Sequence, residues 1–368
     1  MRVRRAVLRR VEMPLKFKFR TSFGETSVKK FLLLQVESEA AEGWGECVAE
    51  EEPLYSPETI GTARHVLAEF LIPLLFRLDV SDPSEFARRA SPIRGNRMAK
   101  AAVECALWDL AARSSGLSLS AALGGVRESV DVGVSLGLQP SESALLELVA
   151  RHVEQGYKRI KLKIEPGRDL EVVEPVRKRF PEIVLTADAN AAYSLEDAPL
   201  LARLDEFHLD YLEQPLHHED LREHAELARR LRTPICLDES IRSAADVRTA
   251  IALDAGKVVN IKIGRVGGIG EAKEIHDICA EAGIPVWCGG MLEAGVGRAT
   301  NVHLATLPNF RKPGDTSSAS RYFEEDIVEP SLEACAGKMP VPAGPGIGVN
   351  VRLEVLDGFT TAREVFEP

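Results

Sequence analysis

Acidic residues recur at a fixed interval in the middle of the chain. The three acids are Asp188, Glu213 and Asp238, which are equally spaced in the sequence. Lys163 precedes the first acid by the same interval, with Lys161 nearby, and Lys262 follows the third acid at nearly the same interval. Each of these side chains lies in or at the end of a short β-like run. An interval of about 25 residues matches one strand plus one helix, and barrel enzymes keep their catalytic groups at the ends of successive parallel strands.

The three acids are candidate metal ligands. Carboxylates with no histidine or cysteine nearby form an oxygen-ligand site, which suits Mg²⁺, and Mn²⁺ or another divalent ion fits the same ligands. Such an ion can bind both oxygens of a substrate carboxylate. It then stabilises the dianion that forms when the adjacent carbon loses its proton.

The lysines are candidates for moving that proton. Lysine has an unperturbed pKa of about 10.4 and needs a pKa of ~7–8 to serve as a base. Repulsion between Lys161 and Lys163, together with the metal charge, lowers the pKa in that direction. In an eight-stranded ring the strands of Lys163 and Lys262 are opposite, so one lysine can remove a proton and the other return it from the far side. If the carbanion carries a β-leaving group, one lysine instead takes the proton and assists departure of hydroxide, and the other stabilises charge. The same site therefore suits a racemase or a dehydratase.

The bulk properties exclude several classes of protein. The chain has 368 residues, 45% hydrophobic, and a net charge of −10, which makes nonspecific nucleic-acid binding unexpected. We find no signal peptide and no apolar run long enough to span a bilayer, so no membrane partner is expected. Six scattered cysteines form no CxxC pair, which favours reduced thiols in a cytoplasmic enzyme.

The chain divides into three parts by its pattern. Residues 1–125 predict an α+β capping domain with β-like runs followed by helices. The β-like runs are Arg2–Val11 and Phe31–Val36, and the helices are Glu58–Leu75, Pro83–Ala90 and Met98–Ser114. Residues 126–320 alternate strands and helices, as a barrel requires. Residues 321–368 fit no such unit, and we expect them to return to the capping domain.

The alternating part predicts particular strand positions. We expect its first strand at Val130–Gly137, its seventh at Pro285–Gly290 and its eighth at Ala305–Phe310. The helices are expected at residues 141–155, 169–180, 194–204, 220–231, 244–253 and 270–282. A doubly wound open sheet is the rival architecture, but the GxGxxG loop that often follows its first strand is missing.

These residues, in this order, resemble the enolase superfamily, and within it the muconate-lactonizing subgroup. The resemblance runs nearly end to end and is strongest to N-acylamino acid (N-succinylamino acid) racemases with o-succinylbenzoate synthase activity. The segments that carry it include Ile160-Lys-Leu-Lys163, Asp188-Ala-Asn190, Glu213-Gln-Pro215, Leu237-Asp-Glu-Ser240, Asn260-Ile-Lys262 and Gly289-Gly-Met-Leu-Glu293. Ile263 stands where many relatives have proline.

The resemblance implies a fold and a set of roles. The fold is α/β, a (β/α)₇β TIM-like barrel with an N-terminal α+β capping domain. Lys163 and Lys262 are the two acid/base groups, and the three acids bind Mg²⁺. The segment Phe19–Gly24 matches a mobile loop that closes on the substrate. A dipeptide epimerase or a muconate cycloisomerase of the same subgroup is the alternative activity.

Supporting residues surround this set. Asn190 either supports the metal ligands or hydrogen-bonds its own loop, and Glu239 either supports Asp238 or pairs with a lysine. Lys161 is a catalytic candidate whose alternative is a structural ion pair, and Arg265 either tunes Lys262 or forms a surface pair. The candidate substrate contacts are Phe19, Phe23, Ser135, Met291 and Leu292. We expect a small-molecule carboxylate as the substrate and a homo-oligomer as the assembly.

Overall fold

The computed structural model describes residues 2–21, 24–78 and 82–368. The chain begins with an antiparallel sheet and helices. The strands are β1 (Arg5–Thr21), β2 (Gly24–Glu37) and β3 (Glu42–Cys47). The helices are α1 (Ile60–Val66), α2 (Ile72–Phe76), α3 (Pro83–Ala90), α4 (Arg97–Ser114) and α5 (Leu119–Leu123). β1 and β2 pair as one long hairpin, much longer than the two β-like runs that the sequence indicated.

Local chemistry explains where α3 begins and how α4 packs. The Asp82 side chain accepts a hydrogen bond from the Ser84 amide at 2.9 Å, and proline suits the first helical position, which confirms the predicted helix Pro83–Ala90. α4 lies directly on β3 because Gly43 and Gly45 have no side chains. A Cβ at these positions would approach backbone oxygens of α4 to 2.1 and 1.9 Å.

The middle of the chain alternates strands and helices. The strands are β4 (Ser129–Asp131), β5 (Val134–Leu136), β6 (Ile160–Lys163), β7 (Leu185–Asp188), β8 (Leu212–Glu213), β9 (Ile235–Leu237), β10 (Val258–Ile261) and β11 (Val286–Cys288). The α-helices are α6 (Glu142–Glu154), α7 (Leu170–Arg179), α8 (Ala198–Leu201), α9 (Leu221–Ala228), α10 (Ala244–Leu253), α11 (Ile263–Val266), α12 (Ile269–Glu281) and α13 (Gly295–Leu304). Short 3₁₀ segments flank α8. Strands β5 to β11 form one parallel sheet in sequence order.

The segment before residue 315 joins the two edges of this sheet. Phe310 bridges to Val286 of β11, and Gly314 bridges to Val132, just before β5, both in the parallel sense. The Asp315 amide also donates to the Cys288 carbonyl at 2.9 Å. The predicted α/β barrel with an N-terminal capping unit is therefore confirmed.

Four of the expected elements were wrong in detail, and one of them is the helix at 194–204, where only Ala198–Leu201 is α-helical and 3₁₀ segments flank it. Residues 130–137 do not form one strand, because β4 turns away to pair with Lys338–Pro340 and only β5 enters the parallel sheet. The eighth strand does not lie at residues 305–310, because α13 extends to Leu304 and turns follow, so the closing segment comes later. The predicted helix 58–75 is interrupted by a π-helical segment, Leu67–Leu71.

The end of the chain returns to the beginning. Its elements are β12 (Val328–Glu329), β13 (Lys338–Pro340), β14 (Asn350–Val351), α14 (Leu353–Phe359) and β15 (Thr360–Phe366). β15 pairs antiparallel with β1, which gives the N-terminal sheet the order β15-β1-β2-β3. Among the described residues, no helix has the length and apolar character needed to cross a membrane.

Candidate active site

The barrel strands place the predicted residues side by side. Lys163 is the register partner of Asp188 on the next strand, and Asp188 is the partner of Glu213. Asp238 and Lys262 directly follow β9 and β10 at the same ends of the sheet. All five side chains are buried, with exposures of 0–1% for the acids and 7–8% for these two lysines. The structure thus brings the recurring acids and the lysines into one cluster at the carboxyl ends of the strands.

Each acid is paired with a lysine. Lys163 Nζ lies 2.7 Å from Asp188 Oδ2, and Lys262 Nζ lies 2.8 Å from Asp238 Oδ2. Lys161 Nζ donates to Glu213 Oε2 at 2.8 Å and is 3.2 Å from Asp188 Oδ2. In the part of the chain that the structure describes, no three His, Cys, Asp or Glu side chains stand as a ready metal centre. The charge of the acids is balanced here by ammonium groups.

Burial and charge together shift the pKa values of the cluster. Burial alone lowers the pKa of Lys262, but contact with Tyr55 and the charges of Glu239 and Glu213 outweigh it and raise that pKa well above the ordinary value. For Asp188, burial works in the opposite direction to the adjacent lysines, and the lysines hold its pKa well below the ordinary value. Burial and the charge of Asp188 raise the pKa of Glu213. The two carboxylates therefore compete for the same compensating cations.

Asn190 and Glu239 link the acids to a lysine. The Asn190 side chain accepts from Lys163 Nζ at 2.6 Å and donates to Glu239 Oε1 at 3.1 Å. Asn190 has a φ of 44°, and its amide donates to Asp188 Oδ1 at 3.0 Å. Glu239 Oε2 is buried without a hydrogen-bond partner, and burial raises the pKa of this carboxyl. Three buried carboxylates and a fourth with an orphaned oxygen are a donor set that fits a hard divalent cation.

Tyr55 was missed by the sequence analysis. Its hydroxyl accepts from Lys262 Nζ at 3.0 Å and from Arg265 Nη1 at 3.2 Å, and Lys262 Nζ lies 4.5 Å from the ring centroid. Arg265 also pairs closely with Asp238 through Oδ1. Arg265 is therefore a buried member of the cluster and does not form the surface pair that was its alternative. Tyr55 comes from the loop between β3 and α1, outside the recurring interval, so no pattern in the sequence marked it.

Asp315 was missed as well. It follows the segment that closes the barrel, and its carboxylate accepts from Ser135 Oγ at 2.9 and 3.0 Å. Lys161 Nζ lies 3.2 Å from Asp315 Oδ2, and the buried Arg159 guanidinium pairs with Oδ1. Because the expected eighth strand ended at residue 310, Asp315 was not recognised as a residue at a strand end. Lys161 thus contacts three carboxylates, which is consistent with its structural alternative.

A cavity of about 90 Å³ lies against these groups. Four of the five candidate substrate contacts line it, namely Phe19, Ser135, Met291 and Leu292. The fifth, Phe23, lies outside the described residues. Phe19 belongs to β1, where it pairs with Thr26, and the Leu138 amide contacts the Arg20 carbonyl at 3.4 Å. The hairpin therefore reaches the carboxyl ends of the barrel strands, where the closing segment was expected, although Phe19 itself is in a strand.

Comparisons with known proteins agree with this geometry. Residues 3–124 match the family described as mandelate racemase / muconate lactonizing enzyme, N-terminal domain, and residues 144–355 match the enolase C-terminal domain-like family. An enolase-superfamily protein of Listeria innocua with a solved structure is 45% identical, with a TM-score of 0.97, and the match covers 100% of this chain and 99% of that one.

Curated relatives are similar along nearly the whole chain. An N-succinylamino acid racemase of Thermus thermophilus is 55% identical over 360 residues, which is 98% of each chain. An o-succinylbenzoate synthase of Geobacillus kaustophilus is 52% identical over 361 residues, covering 98% of this chain and 96% of that one. A muconate cycloisomerase of Rhodococcus opacus is much less similar, at 28% over 325 residues, which is 86% of this chain and 87% of that one.

Proposed function

The chain belongs to the enolase superfamily, and we propose that it abstracts a proton α to a carboxylate by means of two lysines. The substrates would be N-succinylamino acids, which are racemised, the precursor of o-succinylbenzoate, which is dehydrated, or both. The observation that best supports this proposal is that Lys163 and Lys262 come from opposite strands of the barrel. Both lysines are buried and both contact the same group of carboxylates. The proposal draws its substrates from the names of relatives that are 45–55% identical.

Enzymes of this superfamily use a divalent metal ion, and we propose Mg²⁺ here, with Mn²⁺ as a substitute. Asp188, Glu213 and Asp238 would hold it. A bound ion would stabilise negative charge on the substrate carboxylate and lower the pKa of the neighbouring lysines. The fit rests on the buried oxygen donors and the unpartnered Glu239 oxygen described above.

The protein's own groups then divide the proton transfers. In racemisation, one lysine accepts the α-proton, and the opposite ammonium donates a proton to the other face of the same carbon. In dehydration, one lysine accepts the α-proton and then protonates the hydroxide that leaves the β-carbon, which departs as water, while the other lysine stabilises the negative charge. Asn190 orients Lys163, and the hydroxyl of Tyr55 orients Lys262. Both transfers need these nitrogens within hydrogen-bond reach of the carbon, so the contacts that aim them matter as much as their charge.

The hairpin and the loop that carries Tyr55 would close over the substrate. Ligand pockets usually enclose about 300–1,000 Å³, whereas the cavity here measures about 90 Å³. We propose that side chains around it, including Phe19, move when a substrate binds. We also propose that the chain divides into a capping domain at residues 1–125, a barrel at 126–320 and a C-terminal segment at 321–368. Phe19 and Tyr55 come from the first of these parts, and the lysines and acids come from the second. Homo-oligomeric assembly and a cytoplasmic location stay predictions.

The direct test is an assay of both reactions with metal-stripped and reloaded protein. We expect Mg²⁺-dependent racemisation of an N-succinylamino acid, dehydration of the o-succinylbenzoate precursor, or both, and no turnover after removal of divalent ions. A dipeptide and a muconate serve as control substrates for the alternatives, the dipeptide epimerase and the muconate cycloisomerase. Turnover of either control in place of both succinyl substrates would overturn the substrate assignment.

A further inference from the structure

One wall of the active-site cavity is a strained turn. Met291, Leu292 and Glu293 line the cavity between β11 and α13. Leu292 has a φ of 57°, a left-handed conformation that costs a non-glycine residue on the order of 1 kcal/mol. Such a conformation persists only where the surrounding contacts hold it. The contacts on either side of this turn therefore determine the shape of the wall.

The helix that follows the turn is capped from another part of the chain. α13 has Ala294 at its N-cap position and no side chain of its own that caps it. Instead, Glu46 of β3 accepts hydrogen bonds through Oε1 from the Ala294 amide at 3.1 Å and through Oε2 from the Gly297 amide at 3.0 Å. Unpaired amides at the first turn of a helix need such acceptors. The N-terminal sheet thus supplies two of the acceptors at the start of α13, and Asp326 supplies a third, because its Oδ1 accepts from the Gly295 amide at 2.9 Å.

The contact is close and buried. Glu46 is 6% exposed and Glu293 is 8% exposed. A Cβ on Gly297 would lie 2.9 Å from Glu46 Oε2 and 2.8 Å from Glu293 Cγ, so only glycine fits between them. Glu293 in turn accepts from the Met291 amide at 2.8 Å, which ties the helix start back to the wall. The other oxygen of Glu293 accepts from Asn301 Nδ2 of α13 at 2.9 Å, so this carboxylate links the wall to the helix that Glu46 caps.

We propose that Glu46 is a positioning residue for the substrate, which fixes the Met291–Glu293 wall against the N-terminal sheet by capping α13. The inference rests on the proposed function, because its readout is binding of the succinyl substrate. Glu46 has no hydrogen bond or ion pair in the described structure with Lys163, with Lys262 or with the acids that would hold the metal. Because Glu46 acts on the shape of the pocket, its replacement should change KM more than kcat.

The charge state of Glu46 guides the choice of variants. Burial, followed by the charge of Glu293, raises the pKa of Glu46 to about 8. The charged or titratable groups that face it are Glu293, Lys29 of β2, Cys47 of β3 and Cys105 of α4. Glu46→Gln keeps the shape and one acceptor, because its Oε1 can still accept from one amide while its Nε2 can only donate. Glu46→Ala removes both acceptors, and Glu46→Asp, one methylene shorter, cannot reach both amides.

Glu58 provides a matched control. It is also a buried glutamate, 7% exposed, that accepts from two amides at a helix start, Met98 N at 2.9 Å and Ala99 N at 3.1 Å. It caps α4 and does not line the cavity. Glu58→Ala thus removes the same kind of contact without touching the wall.

The experiment measures KM, kcat and Tm for N-succinylamino acids with a small and a bulky side chain. Glu46→Ala should raise KM about tenfold, with kcat within about threefold, because the wall shifts while the two lysines and the three acids stay in place. The bulky substrate should be affected more. Glu46→Gln, which keeps one acceptor, should raise KM less than Glu46→Ala does, and Glu58→Ala should lower Tm with KM unchanged.

Wild-type KM in Glu46→Ala, together with a Tm loss like that of Glu58→Ala, would show a merely structural cap and overturn the proposal. If Glu46→Ala does not fold, Glu46→Asp decides, and a wild-type KM there has the same meaning. Failure of the proposed function looks different, because the wild-type protein itself would then turn over neither succinyl substrate.

Discussion

At the scale of single residues, neighbouring side chains hold the acids in place. Asn260 Nδ2 donates to Glu213 Oε1 at 2.9 Å, and Lys161 holds the other oxygen of that carboxylate. Asn260 is itself packed against Gly289, where an added Cβ would lie 2.2 Å from Asn260 Oδ1. Residues that orient metal ligands typically change metal affinity about 10–100-fold when they are replaced. Gly289 therefore influences the proposed metal site through one amide.

Gly289→Ala should lower the affinity for Mg²⁺ at least about tenfold, because the new methyl group displaces Asn260 from Glu213. Calorimetric titration with the metal alone measures this. Asn260→Ala should cause a similar loss, and the double variant should add little to either single change, since both act through one contact. Fully additive losses would show that Gly289 acts by another route.

At the scale of elements, the β1–β2 hairpin connects the N-terminal sheet to the cavity. Phe17 and Phe19 lie near the end of the hairpin, and their ring centroids are 6.3 Å apart. The ring centroids of Phe17 and Tyr322 are 5.9 Å apart. Phe19 and Tyr322 both line the cavity. The aromatic contacts thus support the end of the hairpin beside the site that would receive the substrate side chain.

Phe19→Ala should alter the preference among N-succinylamino acids while leaving Mg²⁺ affinity within about twofold, because a phenyl ring cannot ligate the ion. The ratio of kcat/KM for apolar and polar side chains measures the preference. Phe17→Ala is the matched control, because Phe17 lies two residues before Phe19 on the same strand and does not line the cavity. Equal effects of the two variants would indicate loss of hairpin packing and not of a substrate contact.

The elements also show how far the sequence could be interpreted. The recurring interval located the acids and lysines because each repeat is one strand and one helix, and Ala244–Leu253 forms the helix that was expected there. It could not locate Tyr55 or Asp315, because these side chains reach the site from a loop and from a closing segment held by isolated bridges. Such contacts depend on tertiary packing, which leaves no periodic signal.

At the scale of the whole molecule, buried acids join the N-terminal helices to the barrel. Glu104 of α4 is 2% exposed, and its Oε1 accepts from the Gly270 amide of α12 at 2.7 Å and from Trp108 Nε1 at 3.2 Å. Burial raises the pKa of Glu104 from 4.5 to about 7. The native state therefore binds this proton more tightly than the unfolded state. Its contribution makes stability fall as pH rises between about 4.5 and 7.

Glu104→Gln should remove this pH dependence. The unfolding free energy of the variant minus that of the wild type should rise by about 2–3 kcal/mol from pH 5 to pH 8, as the pKa shift of Glu104 implies. Urea denaturation at the two pH values measures the difference. Glu69→Gln, at an exposed helical position, is the control and should follow the wild type. A pH-independent difference between Glu104→Gln and the wild type would contradict the account.

Lys163 and Lys262 are proposed to serve opposite faces of one carbon, and exchange of the α-proton in D₂O distinguishes the two lysines. Each enantiomer of an N-succinylamino acid is incubated with Lys163→Ala or Lys262→Ala, and deuterium incorporation is followed by NMR. Both variants should lose racemisation. Each should retain exchange with one enantiomer only, and the enantiomer that Lys163→Ala exchanges should be the one that Lys262→Ala does not. Exchange of both enantiomers by either variant, or racemisation near the wild-type rate, would contradict the two-lysine site.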